Sequence, residues 1–204
     1  MSRAVLLAAA RRTVAAGLNH GATGNLSIRT PVGLLITPTA VPWDRLTEPG
    51  MVELSSDGRV VGAGTPSSEW RLHRDLYAAR PDLSAVVHAH PRFATTLACL
   101  RQDLPAVHYM IAVTGSDRVR CSRYATFGTA DLSAAALEAM GTSRACLLAN
   151  HGLVAAGSDM NEALRVAEEV EVVAEYWWRA RAVGEPVVLA AAEMRDALKR
   201  FESY

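Results

Sequence analysis

The stretch SAVVHAHPRF, Ser84 to Phe93, reads as a buried strand that carries two histidines, one residue apart, up to a proline. Alternate side chains of a strand share a face, so His88 and His90 project the same way from its C-terminal end, where Pro91 stops the ladder. Two imidazoles thus converge at a strand end. Taken alone, the pair leaves two readings open: half of a metal site, or two hydrogen-bonded core histidines.

The flanking sequence shows what kind of sheet holds this strand. Upstream, Ser68 to Arg80 has helical periodicity, with Leu72, Leu76 and Tyr77 on one face, until Pro81 ends it. Earlier still, LSIRT and GLLITPT are strand-like runs separated by Pro31 and Gly33, and MVELSS and GRVVGAG flank Asp57-Gly58, so two hairpins are expected. A first helix is expected from Ser2 to about Ala16, stopped by Gly17. Downstream, Arg92 to Leu100 reads as a short helix, PAVHYMIA and RVRCS as strands, and Leu132 to Met140 as a helix closed by Gly141. ACLLA and LVAAG read as two more strands. Asp159 and Glu162 form a capping arrangement for a helix reaching about Arg181, and a last helix occupies Ala190 to Phe201. Hairpins in the first half and helices among the later strands predict a layered α/β domain on a largely antiparallel sheet.

Composition narrows the function classes. With 204 residues, half of them hydrophobic, the chain can bury a substantial core and fits one soluble domain. Its 21 basic and 21 acidic residues cancel, and no long run of like charge appears, so no nucleic-acid partner is expected. The odd, scattered set of Cys99, Cys121 and Cys146 is neither a disulfide framework nor a thiolate zinc site, which fits a reducing, cytoplasmic setting. The AVLLAAA run near the start resembles a signal peptide only faintly, because Arg11 and Arg12 continue the same helical pattern. No apolar stretch approaches the roughly 20 residues that span a bilayer, so no membrane association is expected.

His151 weighs on the choice left open at Ser84–Phe93. It too follows a short apolar strand, in an Asn-His-Gly corner, and three imidazoles at strand ends could cap one metal with a position left for substrate. His20, His73 and His108 lie in a polar turn, on a helix and beside Pro105, where structural or supporting roles are expected. Glu69 shares the apolar stripe of its helix with Leu72, His73, Leu76 and Tyr77, taking Ser67 or Ser68 as the N-cap. On a solvated face Glu69 would simply answer the helix dipole; on an inward face it needs a partner, and a metal ligand that also handles protons is one such role. PSSE and GATGN both offer groups suited to an anion, although neither is a P-loop or a dinucleotide fingerprint, and each singly is also an ordinary cap or turn.

These pieces, in this order, resemble the zinc-dependent class II aldolase family that also contains adducin heads, and within it the branch acting on L-fuculose 1-phosphate. The matching segments run nearly the whole chain: GLNHGATGNLSIR, LLITPTAVPWDRLTE, PSSEWRLHRDLYAARPDLSAVVHAHP, LPAVHYMIA, YATFGTADLS, LLANHGLVA and EEVEVVAEYW. The resemblance implies a three-layer αβα fold on a mostly antiparallel sheet and a homotetramer with active sites between subunits. It implies that His88, His90 and His151 bind Zn2+ while Glu69 completes the resting site and serves as acid/base. It also implies that Asn25, Thr39, Ser67, Ser68 and the amide of Ala40 hold the phosphate of dihydroxyacetone phosphate. Tyr109, from a neighbouring subunit, would serve the aldehyde oxygen, and Phe127 and Tyr204 would line the aldehyde end.

Two departures are visible. Ala40 stands where relatives usually carry glycine, and the chain ends at Tyr204 where relatives continue. The implied reaction is reversible retro-aldol cleavage of L-fuculose 1-phosphate or a related deoxy-sugar phosphate to dihydroxyacetone phosphate and an aldehyde such as lactaldehyde. The only lysine is Lys199, near the C-terminus, so a class I Schiff-base mechanism, which needs a buried amine, is not expected. Rival readings are a pentulose-phosphate 4-epimerase, a methylthioribulose-1-phosphate dehydratase, or an adducin-like interaction module without metal.

Overall fold

A computed structural model describes residues 2–201, so Tyr204 lies outside the described residues. The chain opens with α1 (Ser2–Ala15), whose buried Leu6, Ala9, Ala10 and Thr13 recur at helical spacing as one inward stripe. Then come the expected hairpins: β1 (Asn25–Arg29) with β2 (Gly33–Ile36), and β3 (Val52–Ser55) with β4 (Val60–Val61). Gly58 turns the second hairpin with φ 86°, a backbone state that favours glycine. α2 (Trp70–Ala79) leads into β5 (Ala85–Ala89), the opening strand, and then α3 (Arg92–Cys99).

The next segment departs from expectation. PAVHYMIA is not a strand: only β6 (Leu104–Pro105) pairs, with β7 (Arg118–Val119), in a separate two-stranded ribbon. Tyr109–Thr114 is instead a 3-10 helix, begun by His108, whose Nδ1 accepts from the Met110 amide, and ended by Gly115 at φ 74°. Ile111, Ala112, Val113 and Thr114 are all buried, and a continuously buried run carries no periodicity to tell strand from helix. The rest follows the expected order as α4 (Ala130–Met140), β8 (Ala145–Leu148), β9 (Gly152–Gly157), α5 (Met160–Val183) and α6 (Ala191–Phe201). Asp159 caps α5 by accepting from the Glu162 amide, while Glu162 Oε2 accepts from the Ser158 amide.

The main sheet has the order β4-β3-β2-β1-β5-β9-β8 with every neighbouring pair antiparallel. It separates two apolar interiors. In β5, Ala85, Val87 and Ala89 face one and Val86 the other; in β9, Leu153 and Ala155 oppose Val154 and Ala156. α1, α3, α5 and α6 cover the first face, α2 and α4 the second. Helix, sheet and helix thus form three layers, and His88, alternating with Val87 and Ala89, faces the α2 side. No helix among the described residues is long and apolar enough to cross a membrane.

Candidate active site

The site forms where β5 ends. His88 pairs in register with Asn25 of β1 on one side and with Val154 of β9 on the other, so its position is set from both flanks. His90 sits just past the strand. His151 comes from the tight β8–β9 connection, where Leu148 already pairs with Gly152. The sharp backbone state there belongs to Asn150, at φ 54°, and not to the glycine. Asn150 tolerates that state and is tied down: its Oδ1 accepts from Arg101 Nε at 2.8 Å and its amide donates to Ala98 O at 2.8 Å. Gly152 is needed for closeness instead, since a Cβ there would lie 2.5 Å from Ala89 O and 2.8 Å from the His90 ring.

The three imidazoles converge, with ligand atoms all within 4.8 Å of one another. His88 Nδ1 lies 3.0 Å from Leu153 O and donates to it, which turns Nε2 toward the other two rings. Nε2 of His88 is 3.1 Å from Nε2 of His90. Two zinc–nitrogen bonds of about 2.0–2.1 Å at a tetrahedral angle set their nitrogens about 3.3 Å apart, so this edge fits a shared cation. Glu69 closes the group, with Oε2 3.1 Å from His88 Nε2 and Oε1 3.5 Å from His151 Nε2. Oε1 is buried and has no hydrogen-bond partner, an expensive state that a cation would relieve. The donor set and the orphaned oxygen both fit a divalent metal held by His88, His90 and His151.

Electrostatics agree. Burial would raise the Glu69 pKa, but the neighbouring His88 and His151 and the Asn25 amide overcome it and hold the carboxyl well below its usual range. Burial, with His88 nearby, pushes His90 down to about 3 and His151 down to about 4, leaving neutral rings suited to ligation. Burial also pushes His88 down, but the Glu69 carboxylate outweighs it and keeps this ring protonatable.

Glu69 itself stands one step off expectation. α2 begins at Trp70, so Glu69 occupies the capping position, with φ −100° and ψ 14°, and its side chain caps nothing. Freed from the cap, the carboxylate reaches across the sheet edge to β1, where Asn25 Nδ2 donates to Oε2 at 3.0 Å.

A cavity of about 340 Å³ opens over the group and is lined by Asn25, Thr39, Ala40, Ser67, Ser68, Glu69, His90, Phe127 and His151, among others. The candidate anion-binding residues therefore gather at its wall. Ala40 adopts φ 54°, the left-handed state usually left to glycine. Phe127 lies at the rim, 65% exposed. Tyr109 is not brought to this cavity: it is 52% exposed and packs on the His108 ring, with centroids 4.6 Å apart. Tyr124 and Asn150 also line the cavity, positions the sequence patterns do not mark, and Ser27 joins Tyr77 of the inward α2 stripe at 2.8 Å. Ser27 lies two residues after Asn25 along β1, a spacing that puts it on Asn25's face.

The profile of the Class II Aldolase and Adducin N-terminal domain matches residues 4–178. The chain belongs to the class II aldolase and adducin family. A curated relative from Rhodospirillum rubrum, a 5-methylthioribulose-1-phosphate/5-deoxyribulose-1-phosphate aldolase, is 48% identical over 98% of this chain and 90% of its own length. The L-fuculose phosphate aldolase of Escherichia coli is 42% identical over 92% of this chain and 88% of its own. A solved L-fuculose 1-phosphate aldolase superposes with a TM-score of 0.96 at 40% identity, covering 98% of this chain and 96% of that one. The class II aldolase fold is thus the fold of this chain, including its antiparallel central sheet.

Proposed function

We propose that this class II aldolase is a zinc-dependent aldehyde-lyase that cleaves a deoxyketose 1-phosphate to dihydroxyacetone phosphate and an aldehyde. The observation that carries this reading is the convergence of three imidazoles with an unpartnered carboxylate oxygen at the floor of a cavity. A divalent cation held by His88, His90 and His151 supplies the electron sink that breaking a carbon–carbon bond beside a carbonyl requires.

The chain's own residues do the rest. Thr39, Ser67 and Ser68 offer hydroxyls, and Ala40 its amide, to the substrate phosphate. Asn25 adds the second hydrogen of Nδ2, because only one is engaged by Glu69. Glu69 returns a proton to the carbon left behind by cleavage, and removes that proton in the condensation direction. Tyr109, exposed on its own chain, serves the hydroxyl of the aldehyde fragment from a neighbouring copy in a homotetramer. Tyr204 is proposed at the aldehyde end, and the free cysteines support a cytoplasmic setting.

Substrate choice rests on the other cavity wall. Ala125 and Phe127 give it apolar surface suited to a methyl or methylthio tail, and the Rhodospirillum rubrum relative is named for 5-deoxy and 5-methylthio pentulose phosphates. We therefore favour a 5-deoxypentulose 1-phosphate, with L-fuculose 1-phosphate as the second reading on the strength of the superposed structure.

Dihydroxyacetone phosphate offered with acetaldehyde, methylthioacetaldehyde, lactaldehyde and glycolaldehyde should condense, best with the first two. Preference for lactaldehyde would select the second reading, and condensation with none would remove the aldolase assignment. Glu69→Gln should stay folded and slow proton exchange of dihydroxyacetone phosphate by about 100-fold or more.

A further inference from the structure

A line of buried polar groups runs from the α2 interior to Glu69. Tyr77 Oη is 2.8 Å from Ser27 Oγ, Ser27 Oγ is 2.7 Å from His73 Nδ1, and His73 Nε2 is 2.5 Å from Asn25 Oδ1. Asn25 Nδ2 then reaches Glu69 Oε2 at 3.0 Å. Every member is buried, and Ser27 and His73 are fully so. None of Tyr77, Ser27 and His73 touches the cavity.

Hydrogen-bond rules give this line one direction. An ionised carboxylate only accepts, so Asn25 must turn its NH2 toward Oε2 and its carbonyl toward His73. That carbonyl also only accepts, so the ring proton of His73 sits on Nε2. Nδ1 is then bare, which makes the Ser27 hydroxyl its donor and leaves Tyr77 to donate to Ser27. A proton on Oε2 aimed at Asn25 would reverse all four links, so every member of the line would have to exchange donor and acceptor roles at once. Oε1 of the same carboxylate has no hydrogen-bond partner and lies 3.5 Å from His151 Nε2.

We infer that His73 is a positioning residue for Glu69: backed by Ser27 and Tyr77, it locks Asn25 so that Oε2 stays an acceptor and Oε1 is the oxygen that takes and returns the proton. The proton on Oε1 rests on the aldolase reading; the direction of the line does not. Such a hold would let one oxygen of Glu69 handle the proton while the other stays fixed as an acceptor beside the site that His88, His90 and His151 would offer a cation.

Two measurements test this. In metal-free wild-type protein carrying ring-15N histidine, the His73 signals, assigned by their loss in His73→Gln, should show a protonated Nε2 and a bare Nδ1 at neutral pH. A protonated Nδ1 would overturn the inference. In the zinc-loaded enzyme, His73→Phe keeps the ring volume but breaks the line. It should lower turnover for proton exchange of dihydroxyacetone phosphate about tenfold, at the modest end for supporting partners of a metal site, with KM held within about twofold. His73→Gln, which restores an N–H toward Asn25, should recover most of that turnover. Wild-type turnover in His73→Phe, a change confined to KM, or no recovery in His73→Gln would each reject the positioning role. If wild-type protein exchanges no proton at all, the aldolase reading fails, and the ring tautomer still reports separately on the line.

Discussion

Leu26 and Ser27 are neighbours on β1, yet they face different interiors. Leu26 joins the apolar cluster under α1, α3, α5 and α6, while Ser27 faces α2 with Asn25, His73 and Tyr77. Both are completely buried. On the first face stability comes from apolar area; on the second, buried polar atoms are tolerated only because each finds a partner. The line of partners ends at Glu69, whose Oε1 is buried without a hydrogen-bond partner. A functional site is thus placed at the end of a polar line through an otherwise apolar interior, where desolvation is costly and a ligand has the most to relieve.

The sharpest way to break this contrast is to remove a metal ligand. We expect His88→Ala to drop zinc retained after dialysis from about one ion per chain to near zero, because two imidazoles and a carboxylate no longer close the site. The motivating geometry is the 3.1 Å approach of His88 to both His90 and Glu69. Elemental analysis decides, and full retention would remove His88 from the ligand set.

Adjacent residues can then be set against each other. Leu26→Ala should cost about 3 kcal/mol in urea unfolding, within the range for emptied core sites, while leaving KM unchanged. Ser27→Ala should cost less, about 1–3 kcal/mol, because it strands His73 Nδ1 and the Tyr77 hydroxyl rather than opening a large void. Ser27→Ala should also lower turnover, which Leu26→Ala should leave near wild type; equal turnover in the two variants would erase the distinction between the faces.

Acid should act on the polar line through His73. His73, pushed down to about 3 by burial and nearby His88, lies below the ordinary histidine value near 6.5, so the unfolded chain protonates first as pH falls. The stability it contributes is fully present above about pH 6.5 and is lost between there and about pH 3, at most about 1.4 kcal/mol per pH unit. In metal-free protein His90 and His151 act in the same direction, and His88, raised by the Glu69 carboxylate, acts in the opposite one. Denaturation midpoints that stay flat from pH 6.5 down to 4 would contradict this.

The smallest effect is expected at Ala40. Its φ of 54° costs a residue with a Cβ about 1–2 kcal/mol, against about 0.5–1 kcal/mol of chain entropy that glycine loses on folding. Ala40→Gly should therefore stabilise by roughly 0.5–1 kcal/mol. A loss of stability in urea would show that the turn is held by something other than backbone preference.

Much of this was legible along the chain. The two-residue spacing of His88 and His90, the Asp57-Gly58 turn and the stripe Leu72, His73, Leu76, Tyr77 are local patterns, and local patterns survive without knowledge of partners. Tyr109 shows the limit: its segment is apolar and wholly buried from Ile111 onward, so strand and 3-10 helix look alike until packing chooses. Glu69 shows another, because one residue's difference in where α2 starts released its side chain from the helix end to the sheet.

By itself, then, the sequence determined the residue types of the site, the strands that carry them and the faces on which they lie, since side-chain alternation is a property of the backbone. Only the tertiary structure decided that residues 25, 69, 88 and 151 meet at one point, and that Asn25 answers to His73 as well as to Glu69. Those contacts depend on strand order and on how α2 crosses the sheet, and such long-range geometry is set by the packing of the whole chain.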